Sequence, residues 1–367
     1  MAGAPMLDVL EHDPHAALRE LREREGPVAW VDALGAWLVL TRERALEVMR
    51  DDATFTVQDP RFTTGRVVGP SMLTLDGDEH ARHRAPFARP FRRAAVLERF
   101  TPLVETEAAR LAHDLRPGAD ARRGFAGPLA AAMVTHALGL ERVGVERVLG
   151  WYDAIVGAVT ELTAGRPLPP AGAEGFAALR DALLASGVPD DEAVSNHAVL
   201  LFGGIETTEG MIANALWHLL TNPEQLALVR ADPALLANAV EESLRLEPAA
   251  ATIDRYATRD AGPIRAGDLV SVSIAAANRD PSVFADPDRF DVRRENARLH
   301  LAFAHGPHVC IGMHLARLEA HVALRALLDR FPDLRLAEPT APRGLVFRKP
   351  PELRVTAGGP RSSRSAP

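Results

Sequence analysis

The stretch "LAFAHGPHVCIGMHLARLE", residues 301–319, contains Cys310, the only cysteine in the chain. Three histidines lie close to it, at positions 305, 308 and 314, together with three glycine or proline residues, and an apolar helix-like run follows at once. A single thiol in such a segment fits three roles: a metal ligand, a nucleophile or a small buried hydrophobe. The choice among these three roles therefore depends on the residues around Cys310.

The spacing of the histidines disfavours a zinc site. Intervals of three, two and four residues across a Gly-Pro turn do not place four ligands tetrahedrally in any familiar loop. A thiolate ligand of haem iron instead needs backbone N–H groups near the sulfur and a helix N-terminus directly behind it. Gly306 and Gly312 permit a close backbone approach, and the predicted helix begins where that role requires it. A buried hydrophobe and a zinc ligand stay open on these observations alone.

The segment "FAHGPHVCIG" (303–312) resembles the haem-binding signature of the cytochrome P450 family. That signature runs Phe, two residues, Gly, one residue, His or Arg, one residue, Cys, one residue, Gly, and the matching positions are Phe303, Gly306, His308, Cys310 and Gly312. The resemblance implies haem b (iron protoporphyrin IX) as the cofactor and Cys310 as its axial thiolate, which favours O–O cleavage. The position after Phe303 is commonly glycine but is Ala304 here, and we expect Ala304 to tighten the loop and shift the haem potential slightly.

The resemblance also implies a fold class, mainly α with small β-sheets, in which a triangular-prism helical domain surrounds the haem. Helical patterns dominate from about residue 79 to 246, and no repeat, linker or break in composition divides the chain. We therefore predict a single cytochrome P450 haem domain over residues 1–357 and a disordered tail over 358–367, which is rich in Pro, Gly and Ser.

Periodicity and turn residues predict further elements along the chain. These are a helix over 14–25, a β-hairpin from "VAWV" to "AWLVLT" around Gly35, a helix over 42–50 capped by Thr41, a long loop over 54–78, helix starts at Asn222-Pro223 and Asp232-Pro233, a strand in "IRAGDLVSVSIAA", a helix over 313–331 and a closing hairpin in "GLVFRKPPELRVT".

A helix predicted over residues 192–221 contains the unusual stretch "LLFGGIETTEG". Glycine weakens helices and threonine competes for backbone hydrogen bonds, so the stretch is either a packing notch for a crossing helix or a functional interruption. It resembles the central helix of the family, in which the Gly-Gly pair, here including Gly204, lies against the haem. The resemblance implies that the Thr207 hydroxyl opens the hydrogen-bond ladder for O₂ and water, and that Glu206 relays protons.

Two other motifs agree in identity and order. Glu242 and Arg245 in "EESLRLEP" resemble the Glu-x-x-Arg helix of the family, although an i,i+3 pair is common on any helix surface. Arg289 in "ADPDRFD" (285–291) resembles the third partner, and together they imply a buried Glu–Arg–Arg network that braces the cysteine loop.

Haem propionates need cations, and the resemblance assigns four candidates. His80 and Arg84 lie four residues apart in "HARHR", on one face of a predicted helix. Arg255 and His308 match two further propionate contacts. We expect His83, in contrast, on a solvated helix face.

The motifs imply a haem-thiolate monooxygenase of soluble bacterial type that inserts one atom of O₂ into an apolar small molecule, by hydroxylation or epoxidation, in natural-product biosynthesis. The sequence contains no Gly-rich dinucleotide motif, flavin domain or iron–sulfur cysteine cluster. Electrons from NAD(P)H are therefore expected to arrive through a ferredoxin reductase and a ferredoxin. Two alternatives stay open: a peroxygenase driven by H₂O₂, and a non-catalytic protein that binds haem or a ligand.

Surface residues and pocket segments follow from the same resemblance. We expect a ferredoxin to dock on arginines near the thiolate, namely Arg82, Arg92, Arg93 and Arg317. The residues expected to line the substrate pocket are mostly aliphatic: Phe55, Phe62, Val67, Val68, Leu200, Ile205, Ala250, Ala251 and Ile253.

Composition limits the remaining partners and the location. A net charge of −7 disfavours a general attraction to nucleic acid. One cysteine excludes an internal disulfide and favours a reducing compartment, the N-terminal segment lacks the pattern of a signal peptide, and no stretch of about 18 apolar residues predicts a membrane span. We expect a cytoplasmic monomer without nucleic-acid or membrane partners.

Overall fold

Helices make up most of the chain that the structure describes, which covers residues 3–163 and 166–357 of a computed structural model. Fourteen α-helices lie within these residues: α1 (Gly3–His12), α2 (His15–Glu25), α3 (Arg42–Arg50), α4 (Thr63–Val68), α5 (Gly77–Ala88), α6 (Arg93–Asp114), α7 (Gly127–Ala137), α8 (Val145–Thr163), α9 (Pro170–Ala185), α10 (Asp191–Thr221), α11 (Pro223–Ala231), α12 (Leu235–Leu246), α13 (Ile274–Ala277) and α14 (Met313–Arg330). A π-helical segment (Arg122–Ala126) precedes α7, and a 3₁₀ turn covers Ala297–Leu299. The predicted mainly α class is confirmed, whereas the predicted tail over 358–367 lies outside the described residues.

Two small sheets accompany the helices. The larger sheet has the strand order β1-β2-β5-β4-β3, and its strands are β1 (Val28–Val31), β2 (Ala36–Val39), β3 (Phe55–Thr56), β4 (Thr252–Ala257) and β5 (Leu269–Ser273). Only the β2–β5 pairing is parallel. The predicted hairpin around Gly35 is confirmed as β1–β2, and β5 confirms the predicted strand.

The predicted closing hairpin is wrong in its pairing. The smaller sheet joins β6 (Arg335–Leu336) to β7 (Val355–Thr356), so the last strand pairs with residues upstream of the predicted hairpin. The intervening chain folds back on itself through an isolated bridge between Arg343 and Lys349. Local alternation predicted the strand β7 but could not identify its distant partner.

Some of the observed element boundaries differ from the predicted ones by a few residues. α3 begins at Arg42 as predicted, but the Thr41 side chain makes no capping hydrogen bond. α11 begins at Pro223 as predicted, whereas α12 begins at Leu235, after a turn in which the Asp232 carboxylate accepts a hydrogen bond from the Ala234 N–H (3.1 Å). The predicted loop over 54–78 contains β3 and α4.

The central helix α10 runs through the middle of the fold. Its 31 residues span roughly 46 Å at about 1.5 Å per residue. Asp190 caps it by accepting a hydrogen bond from the Ala193 N–H (2.8 Å). Most of its residues are buried because α7, α12 and α14 pack around it. Long as it is, neither α10 nor any other helix within 3–163 and 166–357 combines the length and hydrophobicity needed to cross a membrane.

Helices α8 and α9 form a tightly packed antiparallel pair beside α10. Gly172 and Gly175 on α9 face Ala158 and Ala154 on α8, and a Cβ on Gly175 would lie only 2.8 Å from the Ala154 Cβ. The glycines therefore permit a close helix crossing that larger residues would prevent. This packing brings α8 against α10.

A single guanidinium ties the segment after α14 to the start of the chain. Arg348 is buried and donates hydrogen bonds to the Glu247 carboxylate (3.1 Å) and to the carbonyl oxygens of Glu11 (2.9 Å) and His12 (3.3 Å). His15, at the start of α2, contacts the same carboxylate. Arg348 and Glu247 thus join α1, α2 and α12 to the C-terminal segment.

Candidate active site

Cys310 lies at the end of a loop that runs into α14. The Cys310 N–H donates a hydrogen bond to the Phe303 carbonyl oxygen (2.8 Å), and α14 begins at Met313 directly behind the thiol. Burial raises the pKa of the Cys310 thiol, while the first N–H groups of the helix and two nearby arginines act in the opposite direction. Burial thus disfavours a free thiolate, whereas the positive groups of the loop would stabilise a thiolate bound to a metal cation.

The backbone of this loop explains its glycine and its one departure from the family pattern. Gly306 has a φ of +75°, and a Cβ there would collide with the Met49 carbonyl oxygen and lie 3.2 Å from the Arg50 Cα. Ala304 has a φ of +58°, a left-handed conformation that costs energy for any residue with a Cβ. Glycine would adopt this conformation without strain, so the alanine stores strain next to the thiol.

Three of the four predicted propionate contacts gather around one carboxylate, Asp76. The His308 Nε2 lies 2.8 Å from the Asp76 Oδ1, the His80 ring lies 4.3 Å from the His308 ring, and Arg255 is buried close by. Arg84 donates to a carbonyl oxygen of the cysteine loop (2.6 Å). Burial, reinforced by neighbouring cations, lowers the pKa of His80 to about 4, and its buried Nε2 has no hydrogen-bond partner among the described residues. The structure therefore brings the predicted residues together, and the neutral His80 ring keeps an Nε2 that, in the tautomer protonated there, can donate to an anionic ligand.

Part of α5 packs against α10, and this packing corrects one prediction. His83 is not on a solvated face: it is buried, with its Nδ1 3.0 Å from the Asn196 Nδ2. Arg82 bonds to Glu79 (2.6 Å) and Glu192 and so turns towards α10. Its side chain is still 51% exposed, so its predicted docking role stays a prediction.

The interruption of α10 lies at Thr207. Its hydroxyl donates a hydrogen bond to the Gly203 carbonyl oxygen (2.6 Å), one turn earlier, and the side chain is only partly buried. A Cβ on Gly203 would meet no atom within 4 Å, whereas a Cβ on Gly204 would lie 2.6 Å from the Val134 Cγ2 on α7. The open face of the glycine pair therefore belongs to Gly203, whereas Gly204 permits the close packing of α7, and the contact of Gly204 with the haem stays a prediction.

Glu206 is buried and held by groups that the sequence did not predict. Its carboxylate accepts a hydrogen bond from the Tyr152 hydroxyl of α8 and lies 2.8 Å from the Lys349 Nζ. Lys349 also lies 2.8 Å from Glu209, which in turn pairs with Arg122 at 3.0 Å. Lys349 is the one lysine of an arginine-rich chain. Its uniqueness is the sequence feature that could have indicated a special role for this residue.

The predicted bracing network exists with a different third member. Arg245 binds the Glu242 carboxylate through two hydrogen bonds (2.7 and 2.9 Å), and both side chains are fully buried. The second guanidinium on Glu242 belongs to Arg294 (2.8 Å). Arg289 contributes its backbone carbonyl oxygen, which accepts from Arg245 (3.1 Å) and Arg294 (3.2 Å). The assignment of the Arg289 side chain was therefore wrong.

Similarity to known proteins extends over nearly the whole chain. The model of the cytochrome P450 family matches residues 177–343. The cytochrome P450 monooxygenase PikC of Streptomyces venezuelae is 35% identical, over 96% of this chain and 93% of PikC, and nocardicin C N-oxygenase of Nocardia uniformis is 34% identical, over 87% and 89%. The chain belongs to the cytochrome P450 family. A crystal structure of P450BioI superposes with a TM-score of 0.84 at 29% identity and covers 96% of this chain and all of that one, which confirms the predicted P450 fold.

The residues of this cytochrome P450 fit the cofactor of the family, haem held by a cysteine thiolate. Cys310 is the one residue that can supply the thiolate. Cys310 is only partly buried, so its side chain keeps accessible surface at which a ligand can bind. The unpartnered His80 Nε2 and the open face of Gly203 also fit. Cys310 would bind the iron, and His80, with its neighbouring cations, would hold the propionates.

The residues predicted to line the substrate pocket of this cytochrome P450 differ in burial. Four of the predicted lining residues are buried in packing clusters and offer no free surface: Phe55, Val68, Ile205 and Ala251. The partly buried members can still border a pocket: Phe62, Val67, Leu200, Ala250 and Ile253.

Proposed function

We propose that this cytochrome P450 inserts one atom of O₂ into an apolar small molecule, by hydroxylation or epoxidation, in natural-product biosynthesis. The observation that carries the proposal is the Thr207 hydroxyl, bonded to the Gly203 carbonyl oxygen on the open face of α10, one residue after the buried acid Glu206. The names of two similar proteins support a role in natural-product biosynthesis. They are nocardicin C N-oxygenase and a hydroxylase involved in himastatin biosynthesis.

Haem, when bound, supplies the binding and reductive activation of O₂. The side chains of the protein bind and transfer the protons that the reaction needs. Because Thr207 donates its own proton to Gly203, its oxygen keeps lone pairs that accept a hydrogen bond from water or a protonated ligand in the open space. Glu206 is the adjacent acid, and Lys349 and Tyr152 hold it in one position. In the proposed relay this ordered acid and the hydroxyl of the next residue act together in general acid–base catalysis.

The partly buried candidates for the pocket wall are apolar. They come from α4, α10 and the start of β4, with Val67, Leu200 and Ile253 as representatives, and none carries a charge. A ligand held there gains affinity from the burial of apolar surface. This supports an apolar substrate.

The proposed electron donor is a ferredoxin, reduced by its reductase with NAD(P)H in the cytoplasm, and the enzyme acts as a monomer. Arg92 and Arg93 are exposed at the start of α6. Burial and nearby arginines lower the pKa values of His305 and His314, in the cysteine loop and at the start of α14, which indicates a basic surface there. An acidic ferredoxin would be steered to such a surface, and its association would weaken with salt.

Two measurements test the proposal. The ferrous enzyme with CO is expected to show the red-shifted thiolate band, and Cys310→Ser to lose it. Product is expected with NADH, ferredoxin and reductase and not with H₂O₂ alone. Turnover with H₂O₂ alone would favour the peroxygenase, and haem binding without turnover of any apolar substrate would favour a binding protein.

A charge reversal tests the docking surface separately. Arg92→Glu with Arg93→Glu is expected to slow ferredoxin-supported turnover several-fold without changing the CO band. Arg325→Glu, on an exposed part of α14 where the arginine pairs only weakly with Asp329 (3.5 Å), is the matched control. Equal rates for the two variants would place the docking surface elsewhere.

A further inference from the structure

We infer that Arg317 is a positioning residue of the thiolate loop: with Glu241 it fixes Phe303 and places a constant positive charge beside Cys310, which sets the reduction potential of the haem iron. The inference rests on the proposed function in one respect, that Cys310 carries the iron. It replaces the expectation that Arg317 docks a ferredoxin.

The first step is the anchoring of Arg317 to α12. Its Nε and Nη2 donate to the two oxygens of the Glu241 carboxylate, at 2.7 and 3.0 Å, in the bidentate geometry that orients a guanidinium most firmly. Glu241 is buried and also lies 3.0 Å from the His300 Nε2. Burial alone would raise the pKa of Glu241, but hydrogen bonds from His300 and Arg317 outweigh it and hold the pKa at about 2. Glu241 is therefore a fixed anion at neutral pH.

The second step links Arg317 to the loop. Its guanidinium carbon lies 4.4 Å from the centre of the Phe303 ring, a cation–π contact. The ring of His300 lies 5.8 Å from the same phenyl group. The Phe303 carbonyl oxygen accepts the hydrogen bond from the Cys310 N–H. A continuous set of contacts thus runs from α12 through Arg317 and Phe303 to the residue that binds the iron.

The third step is electrostatic. Arg317 is one of the two cations whose charge acts on the Cys310 sulfur. Reduction of ferric to ferrous iron adds one negative charge to the site, so a nearby cation favours the reduced state and a nearby anion opposes it. At an effective dielectric constant of about 20, a unit charge at roughly ten ångströms changes such an equilibrium by roughly tenfold. Arg317 and Glu241 should therefore have opposite effects on the potential.

The low exposure of the Arg317 side chain argues against a docking role. Its side chain is 30% exposed, and the bidentate pair with Glu241 engages its guanidinium. Arg325 on the same helix is 52% exposed and makes only an i,i+4 contact with Asp329. Arg325 is therefore a control with the same charge and helix but without the contacts to the loop.

The test is spectroelectrochemical titration of the haem-loaded enzyme without any redox partner. Arg317→Met is expected to lower the ferrous-to-ferric ratio at a fixed potential about tenfold, a shift of about 59 mV, and Glu241→Gln to shift it in the opposite direction. Arg317→Lys, which keeps the charge, should stay closer to wild type than Arg317→Met. Arg325→Met should equal wild type.

The outcomes separate the inference from its alternatives. An unchanged potential in Arg317→Met with an intact thiolate CO band overturns it, as do shifts of the same sign in Arg317→Met and Glu241→Gln. If Arg317→Met yields no thiolate band, Glu241→Gln and Arg317→Lys decide by the sign and size of their shifts. Failure of the proposed function would appear differently, as a wild-type protein without the thiolate band.

Discussion

Replacing Lys349 by methionine leaves two buried carboxylates without the cation that they share. The Lys349 Nζ lies 2.8 Å from both Glu206 and Glu209, and the two carboxylate side chains are 6% and 1% exposed. Methionine keeps much of the length of the lysine side chain and removes only its charge. Lys349→Met therefore isolates the electrostatic contribution of the pair.

The expected loss follows from the partners that remain. Removing one partner of a buried ion pair costs about 3–5 kcal/mol. Glu209 keeps its pair with Arg122 (3.0 Å) and Glu206 keeps the hydrogen bond from Tyr152, so we expect the free energy of unfolding to fall by about 3 kcal/mol, the lower end of that range. The loss of its anchor also lets Glu206 move, so the fraction of electrons that end in product should fall.

Urea unfolding followed by tryptophan fluorescence measures the stability, and the ratio of product to NADH measures the coupling. Lys349→Arg, which keeps the charge, is the matched control and should stay near wild type. Adding Glu209→Gln to Lys349→Met should restore part of the stability because it removes one of the two facing charges. A Lys349→Met protein within about 0.5 kcal/mol of wild type, with unchanged coupling, would refute the role of the shared cation.

Three further changes test other parts of the site. Thr207→Ala should leave NADH consumption in place while H₂O₂ rises and product falls, and an unchanged ratio of product to NADH would contradict the role of the hydroxyl. Arg294→Ala should reduce the yield of haem-loaded protein, since it strips Glu242 of one guanidinium, whereas Arg289→Ala should not; equal yields would contradict the network. Cationic partners hold the pKa of Glu247 at about 2 against the raising effect of burial, so its pairing stabilises the fold above pH 4.5 and is lost as the pH falls towards 2, a difference of about 3 kcal/mol. Urea unfolding at about pH 7 and about pH 3 should therefore show a smaller pH dependence in Glu247→Gln, and equal dependence would contradict the pairing.

The sequence predicted the thiolate loop well because its physics is local. The Cys310 N–H bonds to Phe303 only seven residues away, and the position of Gly306 against α3 demands a residue without a Cβ. The helix behind the thiol begins three residues later. Such short-range constraints leave a readable pattern of residue types at fixed spacing.

The errors concern contacts that only the tertiary fold decides. Arg289 and Arg294 lie five residues apart on the same irregular segment, and nothing in their spacing indicates which guanidinium faces Glu242. His83 is buried because α5 packs against α10, a contact that helical periodicity alone did not reveal. The partner of Glu206 follows it by 143 residues, since Lys349 belongs to the segment after α14. Sequence spacing gives no information on such pairs.

The adjacent residues Arg348 and Lys349 affect the order in which the newly translated chain can fold. Both follow all the helices of the described chain, yet Arg348 anchors α1 directly and α2 through Glu247 and His15, and Lys349 anchors the acid of α10. A growing chain can form the helices as they leave the ribosome, but neither the first helices nor the acid can reach their final positions until these two residues have been translated. A chain truncated before them would contain all of these helices, but its first helix would be unanchored and its Glu206 would lack its cation. Two residues translated after all of these helices thus complete the anchoring of both the first helix and the acid of α10.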